Sequence, residues 1–493
     1  MNTLFTLSNL GFVGVWWLLG EWAIRILALY FVPKNRKPSS AMAWLLLIFF
    51  FPELGLIVFL ILGNPKLPRV RRNMQKTLNK IISATIHDLK NKQKNKDLLS
   101  SEVSPKYTQI AKLAKSLSRM PVFEGNKVEV LSEYDKIFES IVDDLNKAKN
   151  FINLEYFILV LDESTEPIFD ALKNAVDRGV IVRVLYDSFS TKKFKSYKKM
   201  IKRLKIDGVI AQEILPLRLP GRGYVRPDLR NHRKLVVIDG IIGYSGSQNI
   251  VQRNYHRKDN IYYDEFVVRI CGPAVLQLGA IFLTDWFSET GVLLDYGETE
   301  VMNSQIKSFG ESKIQILPSG PGFEDENNLK LFTSLVYTAT KKIVLVNPYF
   351  VPDISLLNAI TSAAKRGVDV ILINSEAIDQ WMVAHAQRSF YETLLRAGVK
   401  IYCYKAPILL HSKFITIDGE LATVGSSNLD IRSFELDLEL TVICYDKEVV
   451  KKFIEIEKQY LELSKEITLA SWRKRSRSKI FLDNIARLTS SLQ

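Results

Sequence analysis

His411-Ser412-Lys413-Phe414-Ile415-Thr416-Ile417-Asp418, followed by Gly425-Ser426-Ser427-Asn428, decides how this chain is read. An earlier stretch, His232-Arg233-Lys234-Leu235-Val236-Val237-Ile238-Asp239, followed by Gly246-Ser247-Gln248-Asn249, repeats its pattern. Both run His, any residue, Lys, four residues, Asp, six residues, Gly-Ser-x-Asn. The apolar residues running on toward Asp have strand period, and residues two apart on a strand face the same way. Each His and its Lys therefore point at one space. Asp239-Gly240 and Asp418-Gly419 predict a turn, after which a second short strand returns Ser and Asn to the same end.

Phosphoryl transfer needs this set of side chains. Lys, Ser and Asn offer compact donors for the oxygens of a phosphodiester as charge builds there. His attacks phosphorus or moves a proton near neutral pH. Two copies supply two imidazoles, one for attack and one for the leaving group. Only five His occur in the chain, and two hold the matched positions. Buried histidines on ordinary strands do not account for the same Gly-Ser-x-Asn at the same offset twice.

The paired motifs resemble the HxKxxxxD motifs of the phospholipase D superfamily. Their surroundings narrow the resemblance: Asn231 to Gly240, and Asn428-Leu429-Asp430-Ile431-Arg432-Ser433-Phe434-Glu435-Leu436, are similar to the bacterial cardiolipin synthases of that superfamily. The similarity spans almost the whole chain. It implies two α/β sandwich halves facing each other, with one active site at their junction. One motif His is then expected to form a phosphohistidine, while the other protonates the leaving alcohol and serves as base toward the incoming one. Family precedent makes His232 the nucleophile and His411 the acid/base. The resemblance also implies that Lys234, Lys413, Asn249 and Asn428 hold the phosphate oxygens, with Ser247 and Ser426 supporting them. Asp264 and Glu439 stand where the family places carboxylates that orient the histidines. Asp239 and Asp418 complete the catalytic motifs, and their expected part is to fix the turn. Two departures bear on substrate choice: Asp437 replaces an Asn common in the family, and Tyr262-Tyr263-Asp264 replaces a Trp-containing stretch.

The activity implied is transfer of a phosphatidyl group from one phosphatidylglycerol to another, releasing glycerol, with no cofactor. A phospholipase D-type lipid hydrolase or nuclease, with water or another alcohol as acceptor, stays open as the alternative. A non-catalytic membrane scaffold would not need two complete motifs. No metal is expected: carboxylates and histidines do not cluster, and the lysines can neutralise phosphate.

Outward from the motifs, 493 residues are too many for one core, and an apolar content of 47% demands a search for membrane segments. Leu10 to Val32 and Ala41 to Leu62 are each about 22 residues of mostly apolar character, long enough to cross a bilayer core. Glu21, Arg25 and Glu53 interrupt them; Glu21 and Arg25 are spaced to pair on one helix face. Pro52 can bend or shorten the second segment, so a spanning hairpin and a re-entrant one both fit residues 1–63.

Residues 64–122 read as a basic linker. Lys66, Arg69, Arg71, Arg72, Lys76 and Lys80 follow the hairpin, against Lys34, Arg36 and Lys37 inside it. The two segments and the resemblance together imply a multi-pass protein of the bacterial plasma membrane, and the charge excess predicts that its catalytic region is cytoplasmic. The same cluster suits anionic membrane lipids. The net charge of +14 is compatible with nucleic acid, but the hairpin points to lipid, and no nucleic-acid partner is expected.

Residues 123–310 and 311–493 read as duplicated halves. Helices at Tyr134 to Lys149 and Ile168 to Arg178 alternate with strands at Phe151 to Ile158 and Val180 to Asp187. Lys342 to Phe350, a helix ending at Gly367 and Val368 to Ile373 repeat that order. Arg218 to Pro227 is a basic Gly/Pro loop suited to a phosphate headgroup or to plain solvent. The C-terminal tail, from Trp472-Arg473-Lys474-Arg475 to Leu488, fits a basic amphipathic helix on a membrane or equally one packed on the domain. Cys271, Cys403 and Cys444 lack metal-ligand spacing and read as reduced thiols. His87, His256 and His385 have no partner pattern around them.

Overall fold

The two Asp-Gly turns close two hairpins, Leu235–Ile238 with Ile242–Gly246 and Phe414–Ile417 with Leu421–Gly425. The computed structural model describes residues 2–34, 36–91, 98, 102–217, 224–255, 261–294 and 307–490. Within it these hairpins are the centres of two equivalent sheets.

The first half carries β1 (Phe123–Leu131), β2 (Phe151–Tyr156), β3 (Ile181–Asp187), β4 (Ile210–Ile214) and β5 (Arg230–Asn231). Its remaining strands are β6 (Leu235–Ile238), β7 (Ile242–Gly246), β8 (Tyr262–Asp264) and β9 (Val267–Cys271). The second carries β10 (Ser312–Ser319), β11 (Lys342–Val346), β12 (Phe350–Val351), β13 (Asp369–Ser375), β14 (Lys400–Tyr404) and β15 (Ile408–Leu410). It continues with β16 (Phe414–Ile417), β17 (Leu421–Gly425), β18 (Leu429–Asp430), β19 (Asp437–Cys444) and β20 (Ser464–Ile467).

The order β1-β9-β7-β6-β2-β3-β4 is repeated as β10-β19-β17-β16-β11-β13-β14, and antiparallel β1 and β10 join the two. The outer strands of each half pair in parallel through right-sized helical crossovers, and their runs of Val and Ile are buried on both faces. The helices run Glu166–Asp177 and Ile354–Lys365, and Gly179 and Gly367 just beyond them have φ of 86° and 89°. Glycine takes that left-handed conformation without strain and stops both helices.

Two short parallel pairings tie the halves together. β5 of the first half lies on β19 of the second, and β15 of the second lies on β8 of the first. Beneath them Phe266 packs its ring 4.5 Å from Phe414 and 4.8 Å from Phe453, so the core is continuous across the junction.

The stretch read as a basic linker is partly helical and belongs to this folded body. Arg69–Asn91 packs on the helix Val275–Thr290, where Arg71 forms a two-pronged pair with the buried Glu289. Lys76 pairs with Glu324 at 2.7 Å. Thr108–Ser118 buries Ile110 and Ala114, a helical spacing that its interleaved lysines mask in the sequence. Part of the positive charge after the hairpin is therefore neutralised within the fold.

The tail takes the packed alternative, with an inverted orientation. Helix Arg477–Leu488 docks on Trp381–Ala397 through Ala486 and Asp483, whose carboxylate meets His385 Nδ1 at 2.6 Å and also Arg475. Phe481 and Leu488, 63% and 80% exposed, point away from the domain. His256 lies outside the described residues.

The described residues up to 66, with 224–227, form a separate body. α1 (Asn2–Phe31) holds a stretch long and apolar enough to cross a membrane, Gly14–Phe31. The expected second span is broken at Phe51-Pro52 into α2 (Pro38–Phe50) and α3 (Pro52–Leu62), and neither piece reaches crossing length. One candidate span is found among the described residues, so the two-pass reading is not upheld. Arg25 pairs with Glu21 at 3.0 Å and donates to the Phe49 carbonyl at 3.2 Å, beside the break. In the loop read as a headgroup site, residues 218–223 lie outside the described residues. Tyr224 and Arg226 donate to the carbonyls of Ile61 and Leu62 at the end of α3.

Candidate active site

The Gly-Ser pairs of the motifs are explained by a close approach. A Cβ at Gly246 would lie 2.2 Å from the Phe266 carbonyl oxygen, and one at Gly425 would lie 2.0 Å from that of Leu440. Only glycine lets β7 and β17 press against the strands that follow. The next residue gains from that contact: Ser247 N–H donates to the Phe266 carbonyl at 2.9 Å and Ser426 N–H to Leu440 at 3.0 Å.

His232 N–H donates to the Leu438 carbonyl at 2.9 Å, and His411 N–H donates to the Asp264 carbonyl at 2.8 Å. These bonds continue the β5–β19 and β15–β8 pairings by one residue. Each imidazole thereby reaches a carboxylate of the opposite half. His232 Nδ1 lies 2.9 Å from Glu439 Oε1, and His411 Nδ1 lies 2.9 Å from both oxygens of Glu265. The second oxygen of Glu439 takes the Ser426 hydroxyl, and Glu265 Oε2 takes that of Ser247. Both serines therefore hold the carboxylates, not the phosphate.

Asp264 does not orient a histidine. Its side chain is held by Arg253 and by Tyr404 Oη at 2.8 Å, on the other side of the strand from Glu265. The reason is the strand's period of two: one step along the chain reverses the face. Glu265 was legible in sequence, because Glu265-Phe266-Val267-Val268 and Glu439-Leu440-Thr441-Val442 each place a Glu before an apolar run. The uneven spacing from the motif asparagines, 16 residues against 11, hid the match.

Lys234 Nζ donates to the carbonyl of His232, and Lys413 Nζ to that of His411, each at 2.7 Å. Two N–H bonds of each ammonium are left for another partner, and each lysine lies close enough to both histidines to act on their ionisation. Asn249 accepts from Ile158 N–H at 3.2 Å through Oδ1, which leaves its NH₂ for another partner. Asn428 keeps its buried Oδ1 without a hydrogen bond. Phe157 and Tyr263 stand edge-on to His232 and His411, with centroids 4.8 and 5.6 Å apart, and fence the site with apolar surface.

Asp239 and Asp418, named with the catalytic motifs, sit at the far ends of β6 and β16, roughly 16 Å along the strand from Lys234 and Lys413. Each adopts a left-handed turn, φ 51° and 53°. Asp239 accepts the N–H groups of Lys149, Asn150 and Phe151 at 2.7 to 2.9 Å, and Asp418 those of Thr340, Lys341 and Lys342 at the same distances. They fix the starts of β2 and β11 and do not reach the reacting centre.

Burial governs the ionisation of the site. It lowers His232 to about 4, assisted by Lys234 and Lys413 and opposed by Glu439. His411 is lowered for the same reason, with Glu265 opposing. Burial also brings Lys234 down to about 8 and Lys413 to about 7, against the pull of Glu439 and Glu265. Burial would raise both glutamates, but the histidine, lysine and serine beside each outweigh it and hold them below the usual carboxylate range. At neutral pH each pair is a neutral imidazole donating Nδ1–H to a carboxylate, with Nε2 available as a base. Asp437 is a different case: burial raises it to about 8, opposed by Arg432, whose Nε donates to Oδ2 at 3.2 Å. Among the described residues no group of His, Cys, Asp and Glu is arranged to hold a metal.

A family profile described as cardiolipin synthase, PLD-like domain, matches residues 141–286 and 333–460, and one described as phospholipase D-nuclease N-terminal matches 23–64. Cardiolipin synthase A of Wigglesworthia glossinidia brevipalpis is 33% identical over 467 residues, covering 94% of this chain and 92% of that protein. Cardiolipin synthase A of Yersinia pseudotuberculosis serotype O:1b (strain IP 31758) is 34% identical over 453 residues, 90% of each. Among solved structures, phosphatidylserine synthase of Haemophilus influenzae Rd KW20 superposes with a TM-score of 0.59 at 15% identity. That match covers 78% of this chain and all of the other, a likeness of fold.

Proposed function

Since this chain belongs to the cardiolipin synthases built on phospholipase D-like domains, we propose that it moves a phosphatidyl group between two phosphatidylglycerol molecules through a phosphohistidine. The observation that carries this reading is the crossed pair of imidazoles, each tied at Nδ1 to a glutamate of the opposite half. Both Nε2 atoms are thereby left free, and Lys234 and Lys413 each act electrostatically on both histidines.

As the phosphodiester anion binds it draws a proton onto His411 Nε2, where both oxygens of Glu265 support the imidazolium. In the first step His232 Nε2 then attacks phosphorus, the bond from phosphorus to the glycerol oxygen breaks, and His411 gives that oxygen this proton. Glycerol leaves. In the second step the terminal hydroxyl of another phosphatidylglycerol gives its proton to His411 and attacks phosphorus. The nitrogen–phosphorus bond breaks, its electron pair returns to His232, and cardiolipin is released. Neutral His232 suits attack, and both oxygens of Glu265 against His411 suit the imidazolium of the acid. The phosphodiester anion draws protons onto Lys234 and Lys413 as it binds, and with Asn249 and Asn428 they stabilise the crowded phosphorus.

Membrane association comes with the family. We place the span at Gly14–Phe31, with the broken α2–α3 segment re-entrant or interfacial and the catalytic body on the cytoplasmic face, where the basic residues after the hairpin belong. Purified protein given phosphatidylglycerol alone should yield cardiolipin and glycerol in equal amounts. Phosphatidic acid as the only lipid product would make water the acceptor and overturn the reading.

A further inference from the structure

The row of side chains that carries His232 and Lys234 begins with Arg230. Residues two apart on an extended chain share a face, so Arg230, His232 and Lys234 look the same way. Opposite them run Asp437 and Glu439. Arg230 is the pairing partner of Asp437, and His232 bonds Glu439 two residues on. The Arg230–Asp437 rung therefore lies beside the catalytic rung, about 7 Å along the strand.

The two rungs differ in one respect. Glu439 is taken by His232 and Ser426, whereas the guanidinium of Arg230, on a residue only 2% exposed, has no hydrogen-bond partner at Nε, Nη1 or Nη2. Asp437 Oδ1 is unpartnered as well. The closest carboxylate contact is Asp187 Oδ2, 3.5 Å from Nη1, and that side chain already accepts from Ser190 N–H at 2.9 Å and Asn231 N–H at 3.1 Å. A buried cation with unused donors is costly unless something else takes them. A planar fork of N–H donors fits the paired oxygens of a phosphate.

The duplication supplies an internal control. In the other half the rung next to His411 and Glu265 is Leu409 paired with Tyr263, and Tyr263 stacks on Tyr255 at 4.3 Å. That rung is apolar and filled. The site is thus two-fold at its reacting centre and one-sided beside it, with the charge on the His232 side alone.

We propose that Arg230 binds the acceptor lipid's own phosphodiester, so that this rung selects an anionic glycerophospholipid over an uncharged alcohol. The inference rests on the transfer reading above. In the second step the attacking hydroxyl lies at phosphorus, and the acceptor's phosphate follows it by a three-carbon bridge. One pleat of strand, about 7 Å, is the span of such a bridge. Asp437 stands across the rung, its Oδ2 held by Arg432 at 3.2 Å and its Oδ1 free to take a hydroxyl of the acceptor.

The test measures two rates on one phosphatidyl donor with the full chain in mixed micelles: cardiolipin formation, and exchange of labelled glycerol into phosphatidylglycerol. Arg230→Lys keeps the charge and loses the fork; Arg230→Met loses both. The ratio of cardiolipin formed to glycerol exchanged should fall from wild type to Lys to Met, by about tenfold or more for Met, through a raised KM for the acceptor lipid. If both rates fall in proportion in both variants, Arg230 only supports the fold and the proposal is overturned. Stimulation of either rate by inorganic phosphate, lost in Arg230→Met, would put a free anion at Arg230 and overturn its assignment to the lipid. Glycerol exchange without cardiolipin in the wild type would remove the synthase reading itself, and the proposal with it.

Discussion

At the scale of the residue, each imidazole depends on a carboxylate contributed by the other half. Glu439→Gln leaves the shape of its pair and removes the charge that orients and polarises His232. It should lower kcat by on the order of a hundredfold, and adding it to His232→Ala should lower it no further. Additive losses in that double-mutant cycle would mean that Glu439 acts elsewhere. The pH profile of kcat/KM follows from the same burial. His232 must be neutral, so the rate rises as pH passes its value of about 4. His411 must carry a proton, and burial lowers it from its usual 6.5. The lysines, at about 7 to 8, must be charged, so the rate falls on the alkaline side with His411 first. Lys413→Met should remove the Lys413 step from the alkaline limb and leave those of His411 and Lys234, at greatly reduced rate. Motif side chains were legible in sequence because strand period puts His and Lys on one face. The partner of His411 left only the Glu-and-apolar-run match, hidden by uneven spacing, and because Asp264 and Glu265 are adjacent it is the tertiary pairing of β8 with β15 that shows which of them faces inward.

Elements carry the next set of expectations. In β17 a methyl group at position 425 would meet the Leu440 carbonyl at 2.0 Å, which forces β17 away from β19 and draws Ser426 off Glu439. Gly425→Ala should therefore destabilise the fold by a few kcal/mol and abolish turnover in the fraction that folds, read by thermal melting beside product assay. Asp418→Ala acts on stability instead. It strips the N–H groups of Thr340, Lys341 and Lys342 of their acceptor and should cost about 2 kcal/mol. Lys106 and those backbone groups outweigh burial and hold the Asp418 carboxyl at about 2, below its usual 3.8. A depressed carboxylate stabilises the folded state fully above its unfolded value and loses that contribution as pH falls toward the folded one. The difference between wild type and Asp418→Ala should accordingly shrink between about pH 4 and pH 2 in acid-melting curves. Strand and helix order was readable because apolar runs, Arg-Gly stops and Asp-Gly turns recur in both halves. The helices after the hairpin were not, since Ile110 and Ala114 are too few to outweigh the lysines around them. The break at Phe51-Pro52 was visible as Pro52, yet its effect depends on whether the flanking helices fold back, which composition does not determine.

Across the whole molecule the duplication gives one centre, not two. Full-length His232→Ala mixed with full-length His411→Ala should remain inactive, because each chain builds its site from its own two halves. Recovered activity would show carboxylates exchanged between chains. Turnover should also survive exhaustive chelation when the lipid is presented in neutral detergent, since two lysines already face the phosphate. Loss of activity in EDTA, restored by one equivalent of a divalent ion, would contradict this.

The crossing of the two glutamates has a consequence for the life of the chain as well as for its chemistry. A histidine that attacks phosphodiesters is a hazard in a membrane made of them, because any half-formed version would degrade the bilayer around it. Here the chain cannot arm either histidine until the opposite half has folded and delivered its carboxylate. While the second half is still being synthesised, the first has an imidazole without its partner. Local opening of β5 from β19, or of β15 from β8, disarms the same pair again. The fold thus acts as an interlock, closed only when both halves are in place.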